Sequence, residues 1–356
     1  MKISALQNNA VELLKKLIAT PSISGEEDKT AEILVDFLES NGVEKVNRTV
    51  NNVWAVNKYY DESKPSVLFN SHHDTVKPNP GYTRDPFSPD VEGDVLYGLG
   101  SNDAGASGVS LLSTFLWFYD REDLKYNIVV AITAEEENSG PKGLGSLLES
   151  VLPKFDFAIV GEPTQMQLAV AEKGLMVLEG FAPGKAGHAA RDEGENAIYN
   201  AMKDLEWFQS YEFDKESKAL GKVKMTVTQI EAGKQHNVVP ATCKYVVDVR
   251  STDAYTNHEI FDIIDKNTIS KIDPRSIRFN PSFIPENHPI VLAGLKLGRT
   301  TYGSPTLSDQ AFIKQPSLKM GPGDSARSHT ADEYIKISEI HEGIELYIKI
   351  VGEVVS

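Results

Sequence analysis

Histidine and carboxylate side chains follow three short apolar runs of this chain. Val67–Phe69 precedes His72 and Asp74, Ile128–Thr133 precedes Glu135-Glu136-Glu137, and Phe157–Val160 precedes Glu162. Taken singly, three glutamates are typical of a solvated charge run, and one His-x-Asp is typical of a surface loop. Ligands of open α/β sheets bind beyond the carboxyl ends of the strands, so the joint placement predicts one site. Imidazole and carboxylate groups there suit divalent cations.

A glycine-rich loop brings a further carboxylate, Asp103, just before a helical pattern. The loop reads Tyr97-Gly98-Leu99-Gly100-Ser101-Asn102-Asp103-Ala104-Gly105. A dinucleotide fingerprint would need glycine at position 103, where the aspartate would face a pyrophosphate in place of backbone N–H groups. The loop therefore disfavours a hydride-transfer enzyme. It suits a metal ligand instead, since glycines let the backbone close around a carboxylate.

A histidine near the C-terminus completes the candidate set. His329 follows Gly321-Pro322-Gly323-Asp324, and taken alone it would be an exposed loop residue. Together with the other residues it makes two imidazoles and three or four carboxylates, enough for two divalent metals with a position open for water. Cys243 is the single cysteine, so a four-cysteine metal site and an internal disulfide are excluded.

Composition and charge narrow the function classes. The 356 residues are 40% hydrophobic and 24% charged, typical of a globular chain, and the length favours two domains. A net charge of −15 opposes binding to nucleic acid and to anionic membranes. The N-terminal residues show no signal-peptide core, and no apolar run reaches the roughly 18 residues of a membrane span. We expect a soluble cytoplasmic protein.

Apolar periodicity predicts an α/β fold in two parts. Two amphipathic helices come first, and then short apolar strands alternate with helical patterns at Val109–Tyr119 and Leu144–Leu152, which predicts a sheet with helices on its faces. From 174 to 282 the pattern changes to alternating strands with helices between them. We expect an inserted α+β domain there, with residues 1–173 and 283–356 forming a discontinuous first domain.

These motifs resemble the M20 family of metal-dependent aminoacylases and peptidases, which includes acetylornithine deacetylases and succinyl-diaminopimelate desuccinylases. The resemblance runs from Leu13 to the C-terminus through five separated motifs in the family's order. It implies an α/β/α catalytic domain that binds two divalent ions, zinc or else cobalt, and a ferredoxin-like insert that serves as dimerisation and lid domain. It also implies a homodimer formed through the insert.

The resemblance assigns a role to each residue of the set. It makes His72 and Glu162 ligands of the first metal, and Glu137 and His329 ligands of the second. Asp103 would bridge the two metals, with a cis peptide often following it in this family. Asp74 would orient the imidazole of His72. Glu136 would be the general base that takes a proton from the attacking water and returns it to the leaving amine.

Three residues of the insert match family positions near the substrate. His188, in Gly187-His188-Ala189, would reach the reaction's oxyanion across a dimer, whereas the residue type alone fits a core or surface histidine equally well. Asn237 and Arg250 would contact the substrate, and a guanidinium suits a carboxylate. For Arg250 a surface ion pair is the alternative.

The chain also departs from the common family pattern. It has Asp103-Ala104-Gly105-Ala106 where many members carry Asp-Met-Lys-Gly, and it lacks the usual serines after His188. We expect deacylation of N-acetylornithine or N-succinylornithine in arginine biosynthesis. The alternatives are N-acetylcitrulline, N-acetyl-lysine or succinyl-diaminopimelate as substrate, a di- or tripeptidase of the same family, and a noncatalytic small-molecule binding protein.

Overall fold

The helices lie close to the predicted helical patterns. The protein is described by a computed structural model over residues 2–356, and in that range the α-helices are α1 Ile3–Ile18, α2 Asp28–Ser40, α3 Ala106–Phe118, α4 Leu144–Leu148, α5 Ala197–Ser210, α6 Asn257–Asn267, α7 Pro289–Lys296 and α8 Ile337–Val355. The pattern predicted α4 to continue to Leu152, and that end is wrong. The helix stops because the N–H of Leu152 bonds to the carbonyl of Leu147, five residues back instead of four, just before Pro153. None of the helices in this range has the length and apolar character of a membrane span.

The strands of the first half of the chain are β1 Val46–Thr49, β2 Asn52–Val56, β3 Ser66–His72, β4 Val91–Glu92, β5 Val95–Tyr97, β6 Asn127–Thr133, β7 Phe157–Val160 and β8 Leu168–Glu172. Those of the second half are β9 Gly174–Pro183, β10 Gly187–His188, β11 Lys224–Ala232, β12 Val238–Val239, β13 Thr242–Ser251, β14 Lys271–Phe279, β15 Ser282–Phe283, β16 Thr301–Ser304, β17 Ser317–Lys319 and β18 Tyr334–Lys336.

The chain groups into two compact units. The first comprises the chain up to Val170 together with Phe283–Tyr302 and Ser308–Ser356, and the second comprises Ala171–Ser282 and Gly303–Leu307. The predicted fold class, an α/β/α domain carrying an inserted α+β domain, is confirmed. The catalytic and lid roles given to the two parts stay predictions.

Buried parallel strands form the centre of the first unit. β6, β3 and β7 are neighbours in that order, each parallel to the next, and every residue of the three is buried. Alternate side chains point to opposite faces, so Phe69 and Val130 join the core that contains α1, α3 and α8, whereas Leu68 and Val129 pack with α4. Two covered faces explain why these strands read as continuous apolar runs.

The second unit has a four-stranded antiparallel sheet in the order β11-β13-β9-β14. Its chain order is strand, helix, strand, strand, helix, strand, which is the ferredoxin-like arrangement. Helices α5 and α6 pack on the sheet through a core that includes Phe208, Tyr245 and Ile260. Strand β11 lies at an edge of this sheet.

Candidate metal centre

Three parallel strands end beside one another and deliver the polar residues. The register pairs His72 at the end of β3 with Thr133 at the end of β6, and Asn70 with Val160 at the end of β7. Residues directly after these strands therefore meet at one edge of the sheet. That placement brings the Glu135–Glu137 segment and Glu162 to His72, as the strand-end argument predicted.

His72 lies at the centre of the first group of ligand atoms. Its Nε2 is 3.4 Å from Asp103 Oδ1, 3.8 Å from Glu162 Oε1 and 3.9 Å from Glu136 Oε2. The imidazole is buried, and this nitrogen has no hydrogen-bond partner in the structure. A buried polar atom without a partner is costly, so the arrangement fits a cation that would accept the Nε2 lone pair.

His329 lies at the centre of a second group that shares Asp103. Its Nε2 is 3.0 Å from Glu137 Oε2 and 3.5 Å from Asp103 Oδ2. The two oxygens of Asp103 thus face different imidazoles. Ligand atoms of His72, Asp103 and Glu137 all lie within 4.8 Å of one another, so the two groups are contiguous.

The crowded carboxylates shift the ionisation of the site. Burial, followed by the charges of neighbouring carboxylates, raises the pKa of Glu162 to about 8 and holds that of Glu136 well above its usual range. The hydrogen bond to Glu137 raises the pKa of His329 to about 9. Burial alone would raise the pKa of Asp103, but the neighbouring imidazole of His72 lowers it. Divalent cations would offset this excess of negative charge, so the donor set fits the predicted metals.

Asp74 organises the segment that carries the glutamates. Its Oδ1 accepts the backbone N–H of Glu136 at 3.0 Å, its Oδ2 accepts that of Glu137 at 3.1 Å, and Ser24 Oγ donates to Oδ2 at 2.6 Å. The backbone carbonyl of Asp74 lies 3.0 Å from His72 Nδ1, whereas its carboxylate is 3.5 Å away. The carboxylate therefore holds the Glu136-Glu137 backbone at least as directly as it orients the imidazole.

The glycine-rich loop closes tightly before α3. Gly100 has φ +76°, and a Cβ on Gly105 would lie 2.4 Å from the carbonyl oxygen of Gly100. Side chains at these positions are disfavoured, which explains the glycines around Asp103. The peptide bond between Asp103 and Ala104 is cis, as the resemblance led us to expect.

The three candidate residues of the insert lie in the second unit. His188, on β10, is exposed, and its Nδ1 accepts the N–H of Ala190 at 3.1 Å. The carbonyl of Asn237 accepts the N–H of Ala189 at 3.0 Å, so the two candidate segments are neighbours. Arg250 makes two hydrogen bonds to Asp248, at 2.9 and 3.1 Å. Its guanidinium is thus in the ion pair named as the alternative, and the substrate roles of all three stay predictions.

Two buried carboxylates near the site were not predicted. Asp309 is 2% exposed, its Oδ2 lies 2.7 Å from Thr133 Oγ1, and burial raises its pKa to about 6. Glu333 is also 2% exposed and bonds to the loop that carries Asp103. No strand-end pattern marks Asp309. Glu333 stands four residues after His329, and that proximity was the available signal.

Comparison with known proteins identifies the family. Residues 68–353 match the family model described as Peptidase family M20/M25/M40. A succinyl-diaminopimelate desuccinylase of Wolbachia pipientis subsp. Culex pipiens is 27% identical over 371 residues, covering 95% of this chain and 91% of the relative. An acetylornithine deacetylase of Buchnera aphidicola subsp. Schizaphis graminum is 27% identical over 363 residues, covering 93% and 94%.

The fold comparison agrees with the family match. The crystal structure of an M20 family metallo-carboxypeptidase from Sulfolobus solfataricus superposes with a TM-score of 0.75 at 20% identity, covering 97% of this chain and 98% of that one. The match to the family model covers well over half of the chain. The chain belongs to peptidase family M20/M25/M40, and it is a metal-dependent amidohydrolase of that family.

Proposed function

We propose that this amidohydrolase removes the acyl group of an N-acyl amino acid, foremost N-acetylornithine or N-succinylornithine, in the biosynthesis of arginine. The observation that supports this reaction is that two adjacent glutamates, Glu136 and Glu137, have different neighbours. Glu137 faces His329 at 3.0 Å and shares the ligand group, whereas Glu136 lies beside it, 3.9 Å from His72 Nε2. Glu136 is thereby available as an acid and base next to the ligands.

The proposed ligand set is drawn from both groups. His72, Asp103 and Glu162 would hold one divalent ion, and Asp103, Glu137 and His329 would hold the other, with zinc favoured and cobalt as the alternative. When bound, such ions polarise the acyl carbonyl and lower the pKa of water.

Glu136 would move the proton. In the proposed reaction a water oxygen bonds to the acyl carbon while Glu136 takes the proton of that water. The C–N bond then breaks, and Glu136 gives the same proton to the nitrogen of the leaving amine. The raised pKa of Glu136, caused chiefly by burial, suits a group that must hold a proton between these two steps. Asp74 would keep Glu136 in place through the backbone N–H bond.

The second unit would supply substrate contacts. We infer that Arg250 and Asn237 bind the substrate, that the Arg250 guanidinium exchanges Asp248 for the α-carboxylate, and that His188 stabilises the oxyanion of a partner subunit's reaction. The relatives named deacetylase and desuccinylase support an acyl amino acid. The structural neighbour named metallo-carboxypeptidase makes a peptide the second candidate substrate.

A hydrolysis panel tests the substrate. The enzyme, loaded with zinc or with cobalt, is assayed on N-acetyl and N-succinyl derivatives of ornithine, citrulline, lysine and diaminopimelate, and on unblocked di- and tripeptides. We expect the highest kcat/KM on an acyl-ornithine. Faster cleavage of unblocked peptides would replace the deacylase by a peptidase, and binding of acyl-ornithine without turnover would refute the proposed reaction.

The surface of the second unit supports the proposed homodimer. Tyr199 and Met202 on α5 are 66% and 56% exposed, and they line one shallow depression of the surface. Ile230, on the edge strand β11, is 55% exposed. Apolar side chains next to an unpaired strand edge favour pairing with a second copy.

A mixing experiment tests the cross-chain role of His188. Mixing His188→Ala chains with Glu136→Gln chains should restore activity in hybrid dimers, and no restoration despite subunit exchange would reject that role.

A further inference from the structure

Glu333 accepts hydrogen bonds from several backbone N–H groups of the loop that carries Asp103. Its Oε1 accepts the N–H groups of Asn102 at 2.8 Å and Asp103 at 2.9 Å, and its Oε2 accepts that of Gly100 at 3.1 Å. Its own carbonyl accepts the N–H of Gly98 at 2.9 Å. One residue therefore receives four donors from a single loop.

The same residue connects this loop to the segment of the second candidate imidazole. Glu333 follows His329 by four residues, and the next residue, Tyr334, begins β18, which pairs with β5 just before the loop. Glu333 thus connects the loop of Asp103 to the chain segment that carries His329. Asp103 Oδ2 and His329 Nε2 lie 3.5 Å apart.

The contacts of Glu333 favour a positioning role. Both of its oxygens already accept backbone N–H groups of the loop that carries Asp103. We propose that Glu333 is a positioning residue that aims the two oxygens of Asp103 at the two ligand groups, so that the affinity for both ions depends on it. This inference rests on the proposed two-metal site.

A glutamine at this position cannot reproduce the three side-chain bonds. An amide has one oxygen, which can accept the N–H groups of Asn102 and Asp103, but its NH₂ then faces the N–H of Gly100, donor against donor. The opposite orientation loses two bonds. Loss of a residue that orients metal ligands typically lowers metal affinity by about 10- to 100-fold. We expect that decrease for both ions in Glu333→Gln, because both would share Asp103.

The second unit offers a matched control. Asp204 is also 2% exposed, and it accepts the backbone N–H groups of Ile269 at 2.9 Å and Ser270 at 3.0 Å. Asp204→Asn therefore replaces the same kind of buried acceptor, here one that holds the Ile269-Ser270 backbone, which carries none of the proposed ligands. It should lower thermal stability and leave metal affinity unchanged.

The test is a calorimetric titration in which Zn²⁺ alone is added to the whole metal-free chain. Circular dichroism verifies that each variant is folded. We expect two ions in the wild type, both about 10- to 100-fold weaker in Glu333→Gln, and wild-type affinities in Asp204→Asn. Wild-type affinity in Glu333→Gln, or an equal loss in Asp204→Asn, would overturn the inference. Fewer than two ions in the wild type would instead refute the two-metal site itself.

A second variant covers the case in which Glu333→Gln does not fold. Glu333→Asp keeps the carboxyl group but is one methylene shorter, so from the same backbone position it cannot reach all three N–H groups. It should bind both ions more weakly than the wild type and more tightly than any folded Glu333→Gln. Unchanged affinity in Glu333→Asp would also overturn the inference.

Discussion

The two adjacent glutamates should separate into a base and a ligand when each is replaced by glutamine. Their backbone N–H groups bond to the two oxygens of Asp74, yet only Glu137 lies in the converging ligand group. Glu136→Gln should therefore keep both metals and its KM. Loss of general acid–base help is typically worth about 10² to 10⁴ in rate, so kcat should fall by that factor, which corresponds to about 3 to 5 kcal/mol.

Glu137→Gln should act on metal binding and on His329. The variant should lose the ion of the second group, since a neutral amide is a weaker ligand than a carboxylate. In the metal-free protein, the pKa of His329 should fall from about 9 toward its ordinary 6.5, because the bond to Glu137 is the largest cause of its elevation. The charges of Asp103 and Glu333 remain, so the fall should be incomplete.

Three measurements separate these outcomes. Elemental analysis of each variant with steady-state kinetics gives metal content beside kcat, and NMR titration of the imidazole resonances in metal-free protein gives the pKa of His329. Glu135→Gln serves as the control, because Glu135 is the neighbouring glutamate, is buried, and accepts the backbone N–H of Lys142 instead of facing either imidazole. If Glu136→Gln emptied the site while Glu137→Gln kept both ions, the assignment of the two glutamates would be reversed.

Three further changes test the site, its buried acid and the dimer. Asp103→Ala should weaken both ions, and full occupancy by elemental analysis would reject a bridging ligand. Asp309→Asn should become more stable, relative to the metal-free wild type, as pH rises. The pKa of Asp309 in the folded wild type is about 6, against an ordinary 3.8, so the wild type loses stability as pH rises between these values. The difference in unfolding free energy should grow by about 1.4 kcal/mol between about pH 5 and 7.5 in urea titrations, and a flat difference would contradict it. Tyr199→Asp with Met202→Asp should give monomers in analytical ultracentrifugation, and persistent dimers would place the interface elsewhere.

Much of the fold was predictable because burial leaves a strong pattern in the sequence. Strands covered on both faces must be apolar throughout, which made β3, β6 and β7 visible as continuous runs. Their polar successors, including His72 and Glu162, then marked the edge of the sheet where a ligand could bind. The end of α4 was predicted less well, since local bonding before Pro153 stops a pattern that continues in the sequence.

The sequence by itself determined which residue types could bind a cation and which strand ends carry them. Only the tertiary structure decided which atoms meet, for instance that Asp103 turns one oxygen to His72 and the other to His329. It also revealed Asp309 and Glu333, whose importance comes from partners far away in the chain. The physical reason is that periodicity records whether a position is buried, whereas the pairing of buried polar groups depends on long-range contacts that leave no local pattern.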